Sequence, residues 1–164
     1  MKSTRKQYLV LGLGRFGDSL ARNLCKLGHE VLAVDKDTEL VEALAPYVTQ
    51  AVQADATEEA ALEALGIRNF DAAIVAIGNV RDSILVSVLC KEAGVPYVVA
   101  KAVDELHAKV LRKVGVDRVI YPERDMGLRV AKSLVSPGAD AVLHSGDVLL
   151  VLGTQKAIDK INEK

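Results

Sequence analysis

Apolar and polar positions alternate along the chain in two periods, one of strands and one of helices. Tyr8-Leu9-Val10-Leu11 is a short apolar run that ends in glycines. Arg15 to Leu27 then carries Leu20, Leu24 and Leu27 at helical spacing, and Gly28 stops it. Val31 to Val34 reads as a second strand, with Thr38 as N-cap of a helix ending near Pro46. Gln50 to Gln53 is a third, weaker strand, after which Thr57 caps a helix through Leu65 that Gly66 stops. Ala72 to Ile77 is continuously apolar, the pattern of a parallel strand covered on both faces. Asp82 to Ala93 is a helix ended by Gly94, and Tyr97 to Ala100 is a fifth strand entered through Pro96. Asp104 to Val114 is a helix with Leu106, Val110, Leu111 and Val114 inward, and Val119 to Tyr121 is a sixth strand. Strands and helices in strict alternation predict an α/β fold, a doubly wound parallel sheet with helices on both faces.

Beyond residue 122 the pattern changes. Glu123 to Leu134 reads as one more helix, with Met126, Val130 and Leu134 in register. Ser136-Pro137-Gly138 is a linker signal, His144 to Asp147 a turn, Val148 to Leu152 a strand and Gln155 to Asn162 a short polar helix. One strand and one helix cannot bury a core of their own. The expected organisation is therefore a domain over 1–122, a connecting helix over 123–135 and a short tail over 136–164.

Composition narrows the function. Half of the 164 residues are hydrophobic and 26% are charged, which excludes disorder. A net charge of −1 argues against nucleic acid as a partner. No apolar run approaches the roughly 20 residues of a membrane span, and no secretory signal is visible. Cys25 and Cys90 lie far apart in helical patterns and read as reduced thiols. These features point to the cytoplasm.

The chemistry concentrates at the first turn. Gly12-Leu13-Gly14-Arg15-Phe16-Gly17 is G-x-G-x-x-G between a strand and a helix, the context that gives this motif meaning. Gly12 allows the tight turn, Gly14 lets backbone approach a diphosphate and Gly17 lets helix pack on strand. Phosphate then meets the amides and the favourable dipole end of the helix. Asp35, 18 residues after Gly17, stands where a carboxylate accepts from a ribose and disfavours a 2′-phosphate, although neighbouring Lys36 offsets part of its charge. Asp55, Thr57, Gly78 and Asn79 follow the third and fourth strands, at the edge where open α/β sheets bind ligands. Thr57 is equally well read as a helix cap. Tyr97 and Lys101 have the spacing of a dehydrogenase Tyr-x-x-x-Lys pair, but they fall on a strand, whereas that pair needs a helix. The histidines share no catalytic spacing: His29 reads as a turn residue, His107 as a helix-surface residue and His144 as a loop residue.

These residues, with Ala54-Asp55-Ala56-Thr57, Gly115-Val116-Asp117 and Tyr121-Pro122-Glu123, resemble the regulator-of-potassium-conductance (RCK, or KTN/TrkA-N) domain, above all that of cytoplasmic Ktr/Trk subunits. The resemblance covers residue 7 to about 135. It implies a six-stranded Rossmann-like domain binding ATP, ADP or NAD(H). It also implies that Arg15 reaches a terminal phosphate across a dimer interface, that Asp35 holds the ribose, and that Asp55, Ala56, Ala76, Ile77, Gly78 and Asn79 line the nucleotide pocket. Lys101 and Glu123 would lie near the phosphates, with Glu123 linked to Mg2+ or another divalent cation. For Glu123 the competing reading is a carboxylate favoured by a helix dipole. The implied function is a nucleotide-sensing gating subunit of a potassium channel, working as a homodimer or a ring of dimers, peripheral to the membrane and not an enzyme. Such regulators carry a second lobe of about 80 residues, of which only an end-like segment follows Ser136 here. The alternative is an NAD-dependent oxidoreductase, which needs a substrate lobe and a proton-transfer residue that the 41 residues after Tyr121-Pro122-Glu123 do not offer.

Overall fold

The computed structural model describes residues 5–134, with side chains to residue 131. The expected linker at Ser136 to Gly138, the turn at His144, the strand Val148 to Leu152 and the final helix lie outside the described residues. Strands β1 (Gln7–Leu11), β2 (Glu30–Asp35), β3 (Gln50–Gln53), β4 (Ala72–Val75), β5 (Val98–Lys101) and β6 (Arg118–Ile120) form one sheet in the order β3-β2-β1-β4-β5-β6. Every pairing is parallel. Helices α1 (Arg15–Lys26), α2 (Thr38–Leu44), α3 (Glu59–Ala64), α4 (Val80–Glu92) and α5 (Glu105–Lys113) connect them, and α6 (Pro122–Leu134) follows β6. The chain divides into two compact units, Met1–Gly127 and Leu128–Lys164. The first holds the whole sheet.

Two-residue periodicity splits the core. Leu9, Leu11, Val34 and Val75 point to the face covered by α3, α4 and α5, where Leu62, Val86, Cys90 and Leu111 meet them. Val10, Val31, Ala33 and Ile74 point to the opposite face, where Ala21, Val41 and Leu44 of α1 and α2 close over them. Fully burying one such Leu or Val side chain contributes about 1.5–3 kcal/mol. The second face is covered over only part of its width. Tyr8, Phe16, Ile74, Val99 and Ile120 line an open groove of about 400 Å³ beside α1.

Several local expectations change. Asp37, not Thr38, caps α2 by accepting from the Glu39 amide at 2.9 Å. Ala76 and Ile77 fall beyond the end of β4, and α4 starts at Val80 with Asn79 as its cap, two residues earlier than expected. Leu27 follows the last residue of α1 as its C-cap and is exposed. In α5 the inward face is His107, Ala108 and Leu111, while Leu106 is 73% exposed. The cause is local. Asp104 caps α5 through the His107 amide at 2.7 Å, and the imidazole folds back so that Nδ1 accepts from the Val103 amide at 3.3 Å.

His107 is therefore a buried core residue rather than a surface one, and its Nε2 has no partner. Burial holds its pKa below the ordinary 6.5, against the opposing pull of the Asp104 charge. A group whose folded pKa is depressed favours the fold above its unfolded pKa. Its contribution is lost as pH falls below about 6.5, because the unfolded chain takes up the proton first. Melting temperature should drop between pH 7.5 and 5.5, and His107→Gln should flatten that slope. An unchanged slope in the variant would disprove it.

Candidate nucleotide-binding cleft

The site forms where the strand order reverses, at the carboxyl ends of β1, β2 and β4. Gly12 leaves β1 with φ +94°, a conformation natural only to glycine, and its amide donates to the Val34 carbonyl at 2.9 Å. An added Cβ at Gly12 would press on the Ala76 carbonyl group at 3.0 Å. Gly14 then caps α1 without a side chain, so no cap hydrogen bond covers the first turn. The first amides of a helix have no intrahelical partner. Gly17 is packed so closely on the loop that its Cβ would lie 1.9 Å from the Gly12 carbonyl oxygen. The bare Gly14 turn thus leaves the first amides of α1 as an uncovered cradle of backbone donors.

Asp35 ends β2 beside this cradle. One carboxylate oxygen accepts from the Leu13 amide at 2.6 Å and the other from the Asp37 amide at 2.9 Å. Asp55 follows β3 and accepts from both the hydroxyl and the amide of Thr57, at 2.7 and 2.9 Å. Those two bonds, hydroxyl first, and then the nearby Lys36 charge hold the Asp55 carboxyl below its usual range. Thr57 consequently caps no helix: its hydroxyl serves Asp55, and α3 starts at Glu59 after Glu58.

A cleft of about 330 Å³ joins these groups. Gly12 and Gly14 line one part, Asp35 and Lys36 another, Asp55, Ala56 and Thr57 a third, and Ala76, Ile77, Gly78 and Asn79 close the side below α4. Asn79 also accepts from the Asp82 amide at 3.0 Å, so its carbonyl oxygen is committed to the helix start. Besides Val34 at the end of β2, two lining residues were not foreseen, Leu40 and Asp82. Their signals were faint. Each is a first-turn residue of a helix that starts at the sheet's ligand-facing edge, Leu40 apolar where the core pattern does not need it.

Five expected residues, Arg15, Phe16, Gly17, Lys101 and Glu123, do not line this cleft. Phe16 packs its ring against the core beside Val10 and Leu13, because the helical period turns it toward the sheet. Gly17 is buried beneath the loop. Arg15 is exposed at the start of α1, and its side chain makes no hydrogen bond or ion pair among the described residues. Lys101 sits at the end of β5 with its ammonium 2.6 Å from Glu123 in the first turn of α6. That bond, then Glu123's own backbone amide and the Lys101 and Arg15 charges, hold the Glu123 carboxyl low. Beside this pair, Glu105 accepts from the Tyr121 hydroxyl at 2.9 Å and from Arg124 at 2.7 Å. Among the described residues no group of three or more His, Cys, Asp or Glu could hold a metal ion. With Lys101 already on Glu123, protein atoms alone do not fit a divalent cation here.

The TrkA-N domain family matches residues 8–122. The chain belongs to the TrkA-N family. As a TrkA-N domain it is 54% identical over 130 residues to the Ktr system potassium uptake protein A of Bacillus subtilis (strain 168), a match that covers 79% of this chain and 59% of that relative. It is 46% identical over 133 residues to the Ktr system potassium uptake protein C of the same organism, covering 80% and 60%. The chain thus spans about 60% of the length of these relatives. The GsuK channel bound to NAD superposes with a TM-score of 0.68 at 18% identity, over 79% of this chain and 24% of that one. GsuK bound to ADP gives the same TM-score and identity over 79% and 34%. At that identity the likeness shows the fold. No described helix of the TrkA-N chain is long and apolar enough to cross a membrane.

Proposed function

We propose that this TrkA-N domain is the nucleotide-sensing part of a potassium-transport gating subunit. One observation carries the reading: a bare backbone cradle and the Asp35 carboxylate line the same cleft, at the strand-order reversal. In this reading a diphosphate lies on Gly12, Gly14 and the first amides of α1, and the ribose on Asp35. The base lies between Asp55-Ala56 and Ala76 to Asn79, with Leu40 as an apolar wall. Lys101, Glu123 and Arg15 stand toward the phosphates, and a divalent cation would enter only with phosphate oxygens as further ligands. Its partners are a second copy of the chain, a ring of such dimers and a membrane potassium-channel subunit on whose cytoplasmic face the ring sits. Met126 and Leu128, exposed apolar residues of α6, support a joining role for that helix. The ligand acts by differential affinity for two dimer arrangements, without chemistry on the nucleotide.

The test is thermal stability against ATP, ADP, NAD+, NADH and NADPH, with and without Mg2+. A ligand at 100 times its dissociation constant stabilises by about 2.7 kcal/mol. ATP, ADP and the NAD pair should shift the melting temperature upward. NADPH should shift it less, because its 2′-phosphate meets Asp35. Absence of any shift would overturn the reading, and turnover of NAD+ with a hydroxylated substrate would replace it with the oxidoreductase.

A further inference from the structure

We infer that Asp35 is a positioning residue for the phosphate cradle in addition to its role as ribose ligand; this deepens the nucleotide reading above and rests on it. The end of β2 offers two successive acceptors to two successive amides of the glycine loop. The Val34 carbonyl takes the Gly12 amide at 2.9 Å, and the Asp35 carboxylate takes the Leu13 amide at 2.6 Å. Neither amide is therefore left for a ligand, and the loop's path into α1 is fixed from β2. The opposite side is fixed by β4, where the Ala76 amide donates to the Leu11 carbonyl at 2.7 Å. Leu13 cannot swing to another acceptor freely, because its side chain is buried in the core under α1. The second Asp35 oxygen is braced by the Asp37 amide, and Asp37 in turn caps α2. The carboxylate is thus held from both sides before any ribose arrives. This part-buried amide, on losing its charged acceptor, stays unsatisfied unless water from the cleft or a movement of the loop supplies another.

The consequence is that ribose and phosphate recognition are coupled through one side chain. Tripolyphosphate, which has no ribose, separates the two roles. A residue that only binds ribose would leave tripolyphosphate affinity unchanged on substitution, or tighten it by removing a negative charge. A positioning residue weakens it. Asp35→Ala and Asp35→Asn are equally neutral, but only the asparagine keeps an oxygen to accept from Leu13. We expect Asp35→Ala to weaken tripolyphosphate by about tenfold or more, and Asp35→Asn to retain most of the wild-type affinity. Equal or tighter binding in both variants would overturn the inference. The ligand-free full chain gives a second readout, amide hydrogen exchange at Leu13. Exchange should quicken by about tenfold in Asp35→Ala and little in Asp35→Asn, and unchanged protection in both would overturn the inference. If neither ATP nor tripolyphosphate binds the wild type, the nucleotide reading fails, and the exchange result alone decides whether Asp35 sets the loop.

Discussion

Gly17→Ala should lower the melting temperature and weaken nucleotide binding by about 10- to 100-fold, the loss expected when a charge-assisted hydrogen bond is misaligned. The added methyl would stand 1.9 Å from the Gly12 carbonyl oxygen and 3.3 Å from the Ala76 Cβ. No flexible side chain is available to give way. Gly12 is itself pinned, by its bond to the Val34 carbonyl and by the Ala76 carbonyl group on its far side. Either α1 moves out, uncovering Val10 and Leu13, or the loop deforms. Overpacking of this kind costs about 1–3 kcal/mol. Gly14→Ala is the control. Its Cβ meets nothing within 4 Å and its φ of −61° suits any residue, so this variant should lose only about 0.5–1 kcal/mol, the difference between alanine and glycine as a helix N-cap. A binding loss there would report the ligand's approach and nothing else. Wild-type stability and affinity in Gly17→Ala would refute the argument.

Arg15→Ala should erase most of the preference for ATP over ADP. Arg15 is exposed at the first position of α1, and its side chain makes no hydrogen bond or ion pair among the described residues. It does not line the cleft, so its reach is toward the far end of a polyphosphate or across to a second copy. Its absence should weaken ATP by about 10- to 100-fold, as loss of a charged hydrogen bond does, and change ADP only slightly. Titration of both nucleotides into wild type and variant decides it. Equal losses for ATP and ADP would show that Arg15 supports the domain and does not count phosphates.

Fold class and most of the cleft were legible in the sequence because both depend on local rules. The apolar run Leu9-Val10-Leu11 and the glycine stops after α1, α3, α4 and α5 fix strand and helix without reference to distant residues. The glycine motif and Asp35 are likewise set by what one strand–turn–helix unit permits. What tertiary structure decided was the use of each side chain. Phe16 lies inside the recognition motif, yet its ring serves the core, because only the packing of α1 on the sheet fixes which way that helix turns. His107 and Leu106 exchanged their expected places because a cap at Asp104 sets the phase of α5 by one residue, and one residue on a helix is a turn of about 100°. Lys101 and Glu123, 22 positions apart, meet only because β5 and β6 are neighbours in the sheet. Asp35 reaches Leu13 across the same number of positions, through the pairing of β1 with β2. Periodicity and motif spacing see one element at a time, whereas these contacts are made between elements, where side-chain volume and hydrogen-bond demand are settled jointly.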